Sequence, residues 1–449
     1  MLHKARKWIL SGTSAPESKS LAHTMLIENG FISPTAKGFY SLLPLGQRVI
    51  DKLCRILDVE FEKSGALKIG MPIVAQRSLW EKTGRWEAMG AEMIKLEDRQ
   101  KHQLCLQPTA EEMCTELIAT LPPLKKSQFP LMVYQIGEKF RDEMNPRFGL
   151  MRARQFLMKD MYSFSTDIQS SRDTYSKICR VYEHIFGDIL QLGKDVIKVE
   201  ADSGVHGGHI SHEYHLKSSL EEDFVNFCDS CLSFNKLENP KSQKCANCKE
   251  SNILKRIPSI EIAHTFHLGT KYSEVLGAKF QEKPLDMCCF GIGVSRLLPA
   301  VVDLLSTSRK AMRLPRAIAP FEAVIIVKKS LVSNVIVEMA CSSASRYLKG
   351  GILLDDRVEM SAGKRIHEAN RLGIPFVLVL ANETERSLVA NKPVIEVFTT
   401  HSKSDEPVAQ GSMSLDRFVS FVQSSLYGSG APEYLTHSQV LGELGARDF

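Results

Sequence analysis

Residues 139–156 read KFRDEMNPRFGLMRARQF, setting Lys139, Arg141, Arg147, Arg152 and Arg154 beside Asp142 and Glu143 in one short segment. If Arg141 and Glu143 lie on a strand, their spacing of two turns both side chains to the same face. A planar, permanently charged guanidinium beside a carboxylate can hold a phosphate and accept a hydrogen bond from the same ligand. A turn marked by Pro146 and Gly149 would then return the chain with Arg152, Arg154 and Phe156. Further on, MCCFGIGVSRLLPAVVDLL ends a strand in Gly291 and Gly293 and opens a helix carrying Arg296. Glycine lets a ligand approach backbone, and the guanidinium can stack on it or clamp it. Any one of these arginines alone reads equally well as half of a solvated ion pair. The information lies in their combination.

A second constellation is Cys228, Cys231, Cys245 and Cys248, spaced C-x2-C-x13-C-x2-C. Two such knuckles can supply four thiolates to a tetrahedral, structural zinc ion, and the other reading is a relic whose thiols are free. Of eleven cysteines in all, the rest read as buried thiols. No secretory apolar segment precedes them, which argues against an oxidised extracellular framework.

The elements that must position these residues follow from pattern. A chain of 449 residues is long for one core, so two or three domains are expected. With 43% hydrophobic and 24% charged residues it reads as a soluble globular protein. The longest apolar runs, such as VLVL at 377–380, fall far short of the ~20 residues that span a bilayer, so no membrane partner is expected. A net charge of +5 permits a nucleic-acid partner without demanding one. The first acid is Glu17, and residues 1–17 are basic and hydroxylated around Trp8, Ile9 and Leu10. That is the composition of a mitochondrial presequence, and equally of an ordinary frayed terminus.

Val49, Ile50, Leu53, Ile56, Leu57 and Phe61 recur at helical spacing and predict a helix that buries one face, against its own chain or a partner subunit. Short strand-like runs follow without regularly alternating helices, which predicts a mostly antiparallel sheet in an α+β domain over 18–313. After Pro315 a β-α-β-α-β series predicts a separate α/β domain over 318–425, and 426–449 reads as a tail.

The Phe-Arg-x-Glu strand, the Arg-x-x-x-Phe return and the later Gly-x-Gly-x-x-Arg helix opening resemble motifs 2 and 3 of the class II aminoacyl-tRNA synthetases. Longer stretches narrow the resemblance: LPLG (43–46), RWEAMGAEMIKLEDR (85–99), QPTAEE (107–112), FRDEMNPRFGLMR (140–152), FLMKDMYSF (156–164), GTKYSE (269–274) and LLDDR (353–357) are similar to prolyl-tRNA synthetases of the bacterial and mitochondrial type. The likeness covers roughly residues 18–400. It implies an antiparallel-sheet catalytic domain followed by an α/β anticodon-binding domain. The implied activity is ATP-dependent, Mg2+-assisted conversion of proline to prolyl-adenylate and its transfer to tRNA(Pro), in a homodimer of the mitochondrial matrix or, alternatively, the cytoplasm.

The resemblance also implies roles. Arg141 would bind the α-phosphate and the proline carboxylate, Glu143 would read the adenine amino group, Phe156 and Arg296 would sandwich adenine, and Arg152 would hold the γ-phosphate. Gly291 and Gly293 would line the nucleotide site and Glu261 would ligate magnesium. Thr109 and Glu111 would accept from the proline ammonium, with Met158, Asp160, Tyr162, His264 and Cys289 around the ring. Met158 and Cys289 read equally as core filling, and His264 as a satisfied buried histidine. Arg147 would touch the acceptor stem, and Asp355, Arg357, Lys364 and Arg365 the anticodon. The chain departs from the pattern at Gln107, Ala110, Ala153, Gln155, Ala263 and His267, which implies altered proline affinity or loop kinetics. Many relatives carry an editing domain between HEYHL and IEIAHTF. The segment of about 224–256 is too short to hold one, so editing in cis is expected to be absent. A different class of reading is a catalytically retired synthetase fold acting as an accessory or binding subunit.

Overall fold

The computed structural model describes residues 3–201, 204–208, 210–236, 245, 247–248, 254–401 and 404–426. The expected tail at 426–449 therefore lies almost wholly outside the described residues. The described residues form two compact units, one drawn from 34–40 and 53–304, the other from 3–33, 41–52 and 305–426.

In the first unit, nine strands make one sheet among the described residues. The Leu131–Phe140 and Gln155–Ser165 strands pair antiparallel around the motif quoted first, and Gln155–Ser165 pairs on its other edge with Asp286–Gly293. That strand in turn meets Leu254–Gly269, which meets Ile210–Lys217, all antiparallel. The two-residue strand Leu67–Lys68 is parallel to its neighbour. The mostly antiparallel expectation holds.

Register decides what this sheet presents. Gln135, Asp160, Gly291, His264 and Glu213 are successive partners in one row across five strands. Because side chains alternate faces, Met158, Cys289, Gly293 and Phe266, each two residues from a member of that row, face the same side. The residues between them, such as Lys159 and Cys288, face the other side. There the Ile168–Glu183 helix covers them: Lys159 Nζ donates to Tyr182 Oη at 2.9 Å, and Ser171 Oγ lies 3.3 Å from Cys288 Sγ.

The Pro44–Lys63 helix forms where the apolar spacing predicts it, and its stripe of Val49, Ile50, Leu53, Ile56, Leu57 and Phe61 is buried within the chain itself. Gly46 near its start has no room for a side chain, since a Cβ there would lie 2.1 Å from the Phe31 carbonyl oxygen.

In the second unit, Ala323–Val327 lies between Ile352–Asp355 and Phe376–Leu380, all three parallel, with Ile395–Thr399 and Val408–Met413 added antiparallel. Ile325, Val327, Leu378 and Leu380 pack there against Ile336, Ala340, Phe418 and Val422. The sheet continues past what the sequence pattern predicts, because residues 3–4 also join it. His3–Lys4 pairs in parallel with Leu353–Leu354 on the outer edge.

Candidate active site

A cleft of about 410 Å3 opens on the sheet face that carries Asp160, Gly291 and His264. That volume lies in the range of small-molecule sites. Of the residues predicted for nucleotide and amino acid, Arg141, Glu143, Arg152, Phe156, Glu261, Gly291, Gly293, Arg296, Thr109, Glu111, Met158, Asp160, His264 and Cys289 all line it. Tyr162 does not. It is fully buried behind the wall, where its hydroxyl donates to Asp160 Oδ2 at 3.0 Å and accepts from the Ala110 N–H at 3.0 Å.

One end of the cleft is anionic. Glu111 opens the Glu111–Thr120 helix and is sealed from solvent. Thr109 Oγ1 donates to it at 2.8 Å, Cys289 Sγ at 3.2 Å and Arg85 Nη1 at 2.9 Å. Burial alone would raise the Glu111 pKa, but Arg85 and His206 outweigh it and hold the carboxyl well below the usual range. Its neighbour Glu112 shares Arg85, yet burial and the Glu111 charge push its carboxyl up. Asp160 Oδ1 pairs with Lys139 Nζ at 3.0 Å, and its other oxygen accepts from Gln135 Nε2 at 2.9 Å. Thr109, Glu111 and Asp160 thus offer fixed acceptors to a cation.

The other end is cationic. Arg141 leaves the Leu131–Phe140 strand with its Nε buried and without a hydrogen-bond partner among the described residues. Its guanidinium lies 5.3 Å from the Phe156 ring centroid. Burial and the nearby Arg296 lower its pKa, with Glu261, Glu92 and Glu143 opposing. Arg296 is tied down on the Val294–Leu305 helix, donating from Nε to the Met151 carbonyl at 2.8 Å and from Nη1 to the Glu261 carbonyl at 2.9 Å. In front of Gly291 the nearest atoms to a built Cβ are 3.9 Å away, so the cleft and not the protein fills that space.

Glu143 and Arg152 meet each other here at 2.8 Å. Arg152 also pairs with Glu222 at 2.9 Å, and Glu222 takes Arg147 at 2.6 Å on its second oxygen. A third cluster sits between the two ends: Glu213, Glu261 and His264 bring two carboxylate oxygens and an imidazole nitrogen within 4.8 Å of one another. His264 Nδ1 lies 3.0 Å from Glu261 Oε1, and its Nε2 lies 2.7 Å from Ser211 Oγ. Burial would raise the Glu261 pKa, but His264 and Arg296 drive it strongly down. Of the departures from the family pattern, Ala153 and Ala263 line the cleft. His267 is buried outside it against Asp286, at 3.1 Å, and Gln107 turns its amide to Met113 Sδ at 3.3 Å.

The four cysteines converge as their spacing predicts. Their sulfurs lie within 4.8 Å of one another, with Cys228 to Cys248 at 3.8 Å and Cys231 to Cys245 at 3.6 Å. Four thiolates at ~2.3 Å from one zinc are ~3.8 Å apart, whereas a disulfide is ~2.0 Å. Backbone N–H groups of Cys248 and Asn247 lower the Cys245 thiol to about 6, in keeping with a ligating sulfur.

The predicted anticodon residues behave differently. Asp355 and Arg365 are buried, Arg365 donating to the Asp355 and Val327 carbonyls, and Arg357 pairs with Asp355 at 2.7 Å. Lys364 is exposed. Sequence pattern alone gives no role to Arg85, Lys139, His206, Glu213 or Glu222. Arg85 and Lys139 fall inside the motifs at 85–99 and 139–156, whereas Glu222 shows no pattern at all.

Comparison with known proteins agrees with this geometry. Residues 94–304 match the family described as tRNA synthetase class II core domain (G, H, P, S and T), and residues 322–425 match the family described as anticodon binding domain. A rat protein named probable proline-tRNA ligase, mitochondrial, is 40% identical over 369 residues, 79% of this chain and 76% of its own. The protein of that name from Schizosaccharomyces pombe is 35% identical over 381 residues, 82% of this chain and 87% of its own. Among solved structures, the Cryptosporidium parvum prolyl-tRNA synthetase complexed with L-proline and AMP superposes with a TM-score of 0.71 at 15% identity, covering 95% of this chain and 79% of that one. The Giardia lamblia prolyl-tRNA synthetase in complex with prolyl-adenylate gives 0.71 at 16%, covering 90% and 76%. These structural likenesses establish the α+β class II fold, and the sequence identities, sustained over most of both chains, show that this chain belongs to the proline-tRNA ligase family.

Proposed function

We propose that the chain condenses proline with ATP to prolyl-adenylate and transfers the prolyl group to tRNA(Pro) in mitochondria, within the matrix. One observation carries this: a single cleft holds fixed acceptors for an ammonium at one end and, at the other, an arginine whose buried Nε has no hydrogen-bond partner among the described residues. A zwitterionic amino acid spans such a site with its ammonium on Thr109 and Glu111 and its carboxylate toward Arg141.

The carboxylate is ionised near neutral pH and needs no base. Its oxygen attacks the α-phosphorus in line, the bond from that phosphorus to the bridging oxygen breaks, and pyrophosphate leaves with the electron pair. Arg141 stabilises the charge that develops, and Arg296 with Phe156 holds the adenine, so catalysis is positioning plus electrostatics. A terminal ribose hydroxyl of the tRNA then attacks the acyl carbon and AMP departs. Glu213, Glu261 and His264 would hold magnesium, whose carboxylate preference they meet, and the ion would neutralise phosphate charge. The four cysteines would hold a structural zinc. Arg152 would meet the γ-phosphate by exchanging Glu222 for it, and Arg147 would touch the acceptor stem. The exposed Lys364 would contact the anticodon, while Asp355, Arg357 and Arg365 form an ion-paired group in the same domain. Residues 34–61, the motif 1 region, would form a homodimer interface.

The test is proline-dependent ATP–pyrophosphate exchange, with Arg141→Ala as control and alanine and threonine as competing substrates. Exchange with proline that vanishes in the variant supports the reading. Folded protein that exchanges with no amino acid would replace it with an accessory-subunit role.

A further inference from the structure

The cysteine knuckle and the cleft touch through two consecutive residues. The Asp223–Cys228 strand pairs with Leu254–Gly269, the strand that carries Glu261 and His264, and with the short strand Ser233–Asn235. Asn235 is buried and donates from Nδ2 to Cys245 Sγ at 3.6 Å. The next residue, Lys236, reaches the other way and donates from Nζ to Glu213 Oε2 at 2.5 Å. That same oxygen lies 2.7 Å from His215 Nε2, and the far nitrogen of His215 lies 3.0 Å from Ser259 Oγ. Glu213 Oε2 is therefore saturated from behind, and Oε1 is left toward the cleft, 4.0 Å from His264 Nδ1.

Lys236 is placed where its charge matters. Glu213 and Glu261 are two acids facing one small volume, with Asp223 and Glu222 on the same wall. The Glu213 side chain is only 7% exposed. Two like charges in that setting repel each other and any incoming phosphate. Lys236 directly follows the three-residue strand Ser233–Asn235, which is held by its ladder with Asp223–Cys228 and by Phe234 packed on Ile197, Val199 and Val225. The sulfur cluster adds a grip on its last residue, Asn235.

We infer that Lys236, delivered by a metal-loaded cysteine knuckle, offsets one negative charge at the divalent-cation site beside the nucleotide. The knuckle is thereby a working part of the cleft and not a passive substitute for a missing domain. The inference rests on the reading of Glu213, Glu261 and His264 as a cation site, and its test does not need the enzyme to charge tRNA.

The experiment measures Mn2+ binding to the zinc-loaded enzyme alone, by the loss of its free-ion magnetic resonance signal, alongside the KM for ATP in pyrophosphate exchange. Lys236→Met leaves the cysteines intact and should keep about one zinc per chain. With one positive charge gone, Mn2+ should bind about three- to ten-fold tighter while the KM for ATP rises by a similar factor. Lys236→Arg should restore both. Those opposed shifts separate charge compensation from damage, since a misaimed Glu213 or a loosened fold would weaken Mn2+ binding, a result that would also overturn the inference. Stripping zinc from the wild-type enzyme with a thiol-reactive mercurial and chelator should reproduce the Lys236→Met values. Unchanged Mn2+ binding in Lys236→Met, or zinc-free enzyme with wild-type Mn2+ binding and ATP KM, would overturn the inference. Loss of exchange with Mn2+ behaviour as expected would count against the prolyl reading alone.

Discussion

Arg85 Nη1 donates to Glu111 Oε2 at 2.9 Å with both side chains sealed from solvent, 2% and 0% exposed. The same nitrogen lies 3.0 Å from Glu112. One cation thus holds two buried carboxylates, of which Glu111 lines the anionic end of the cleft. Removing a buried partner strands the charges it served, at a cost of ~3–5 kcal/mol. Arg85→Met should lower stability by about that much at pH 7.5 and raise the KM for proline at least ~10-fold. The pH dependence has a definite sign. In the wild type the Glu111 pKa is depressed, so its contribution is complete above the unfolded value of ~4.3 and is lost as pH falls below it. In the variant both acids lose their cation, their pKa values rise, and proton uptake by the folded state stabilises it as pH falls. Denaturant midpoints at pH 7.5 and pH 5 should show the gap closing. A gap that stays constant would mean that Arg85 acts through packing.

Arg141 makes the opposite prediction. Its Nε has no protein partner among the described residues and Arg296 lies nearby, so the folded state gains little from its charge. Arg141→Ala should leave the thermal midpoint unchanged or slightly higher while pyrophosphate exchange falls ~10^2- to 10^3-fold, as for loss of a group aimed at developing charge. A fall in midpoint comparable to that of Arg85→Met would assign Arg141 to the scaffold.

What the sequence made legible in the cleft came from the resemblance, which named Met158, Asp160, His264, Cys289, Gly291 and Gly293. The structure shows why they go together: they recur at intervals of two within strands or share a row across the sheet, and the register adds Glu213. Tyr162 shares that periodicity, but the turn into the Glu111–Thr120 helix covers it, a tertiary fact that spacing does not contain. Arg85 and Glu111 are 26 residues apart, and no local pattern links them. The burial of Asp355 and Arg365, expected as anticodon contacts, was not legible because their partners, Arg357 and the Val327 carbonyl, come from a turn and a neighbouring strand. Residues 3–8 have no apolar period at all, and edge-strand pairing there rests on backbone groups that every sequence offers.

In the proposed function Glu222 competes with substrate. Its two oxygens hold Arg152 at 2.9 Å and Arg147 at 2.6 Å, which are the arginines that face ATP and tRNA in the proposed function. Phosphate must displace that carboxylate to reach Arg152. Glu222→Gln keeps the shape and removes the charge, so the KM for ATP should fall about two- to five-fold at low salt, a difference of ~1 kcal/mol or less. Screening should narrow it above ~0.2 M salt. Exchange kinetics at two ionic strengths check this; a KM that rises instead would make Glu222 a support for the loop and not a competitor.

The amino-terminal segment is a structural part of the second unit. Trp8 meets Phe321 edge to face at 5.3 Å and His3 at 4.9 Å, and the Arg48 guanidinium lies 4.4 Å from the Phe321 centroid. His3–Lys4 covers the outer edge of the Ile352–Asp355 strand. Arg6, by contrast, pairs with Glu359 at 2.9 Å with both side chains 57% exposed. Edge-to-face aromatic contacts add ~0.5–1.5 kcal/mol each beyond burial, whereas exposed ion pairs contribute ~0–1 kcal/mol. Trp8→Ala should therefore destabilise this unit by ~2 kcal/mol, and Arg6→Ala by less than ~0.5 kcal/mol. Removing residues 1–10 should cost at least as much as Trp8→Ala, because the strand edge is uncovered as well. Thermal unfolding of the three proteins, read alongside proline-dependent exchange, checks the order. Equal and negligible shifts would show that this segment rests on the sheet without stabilising it.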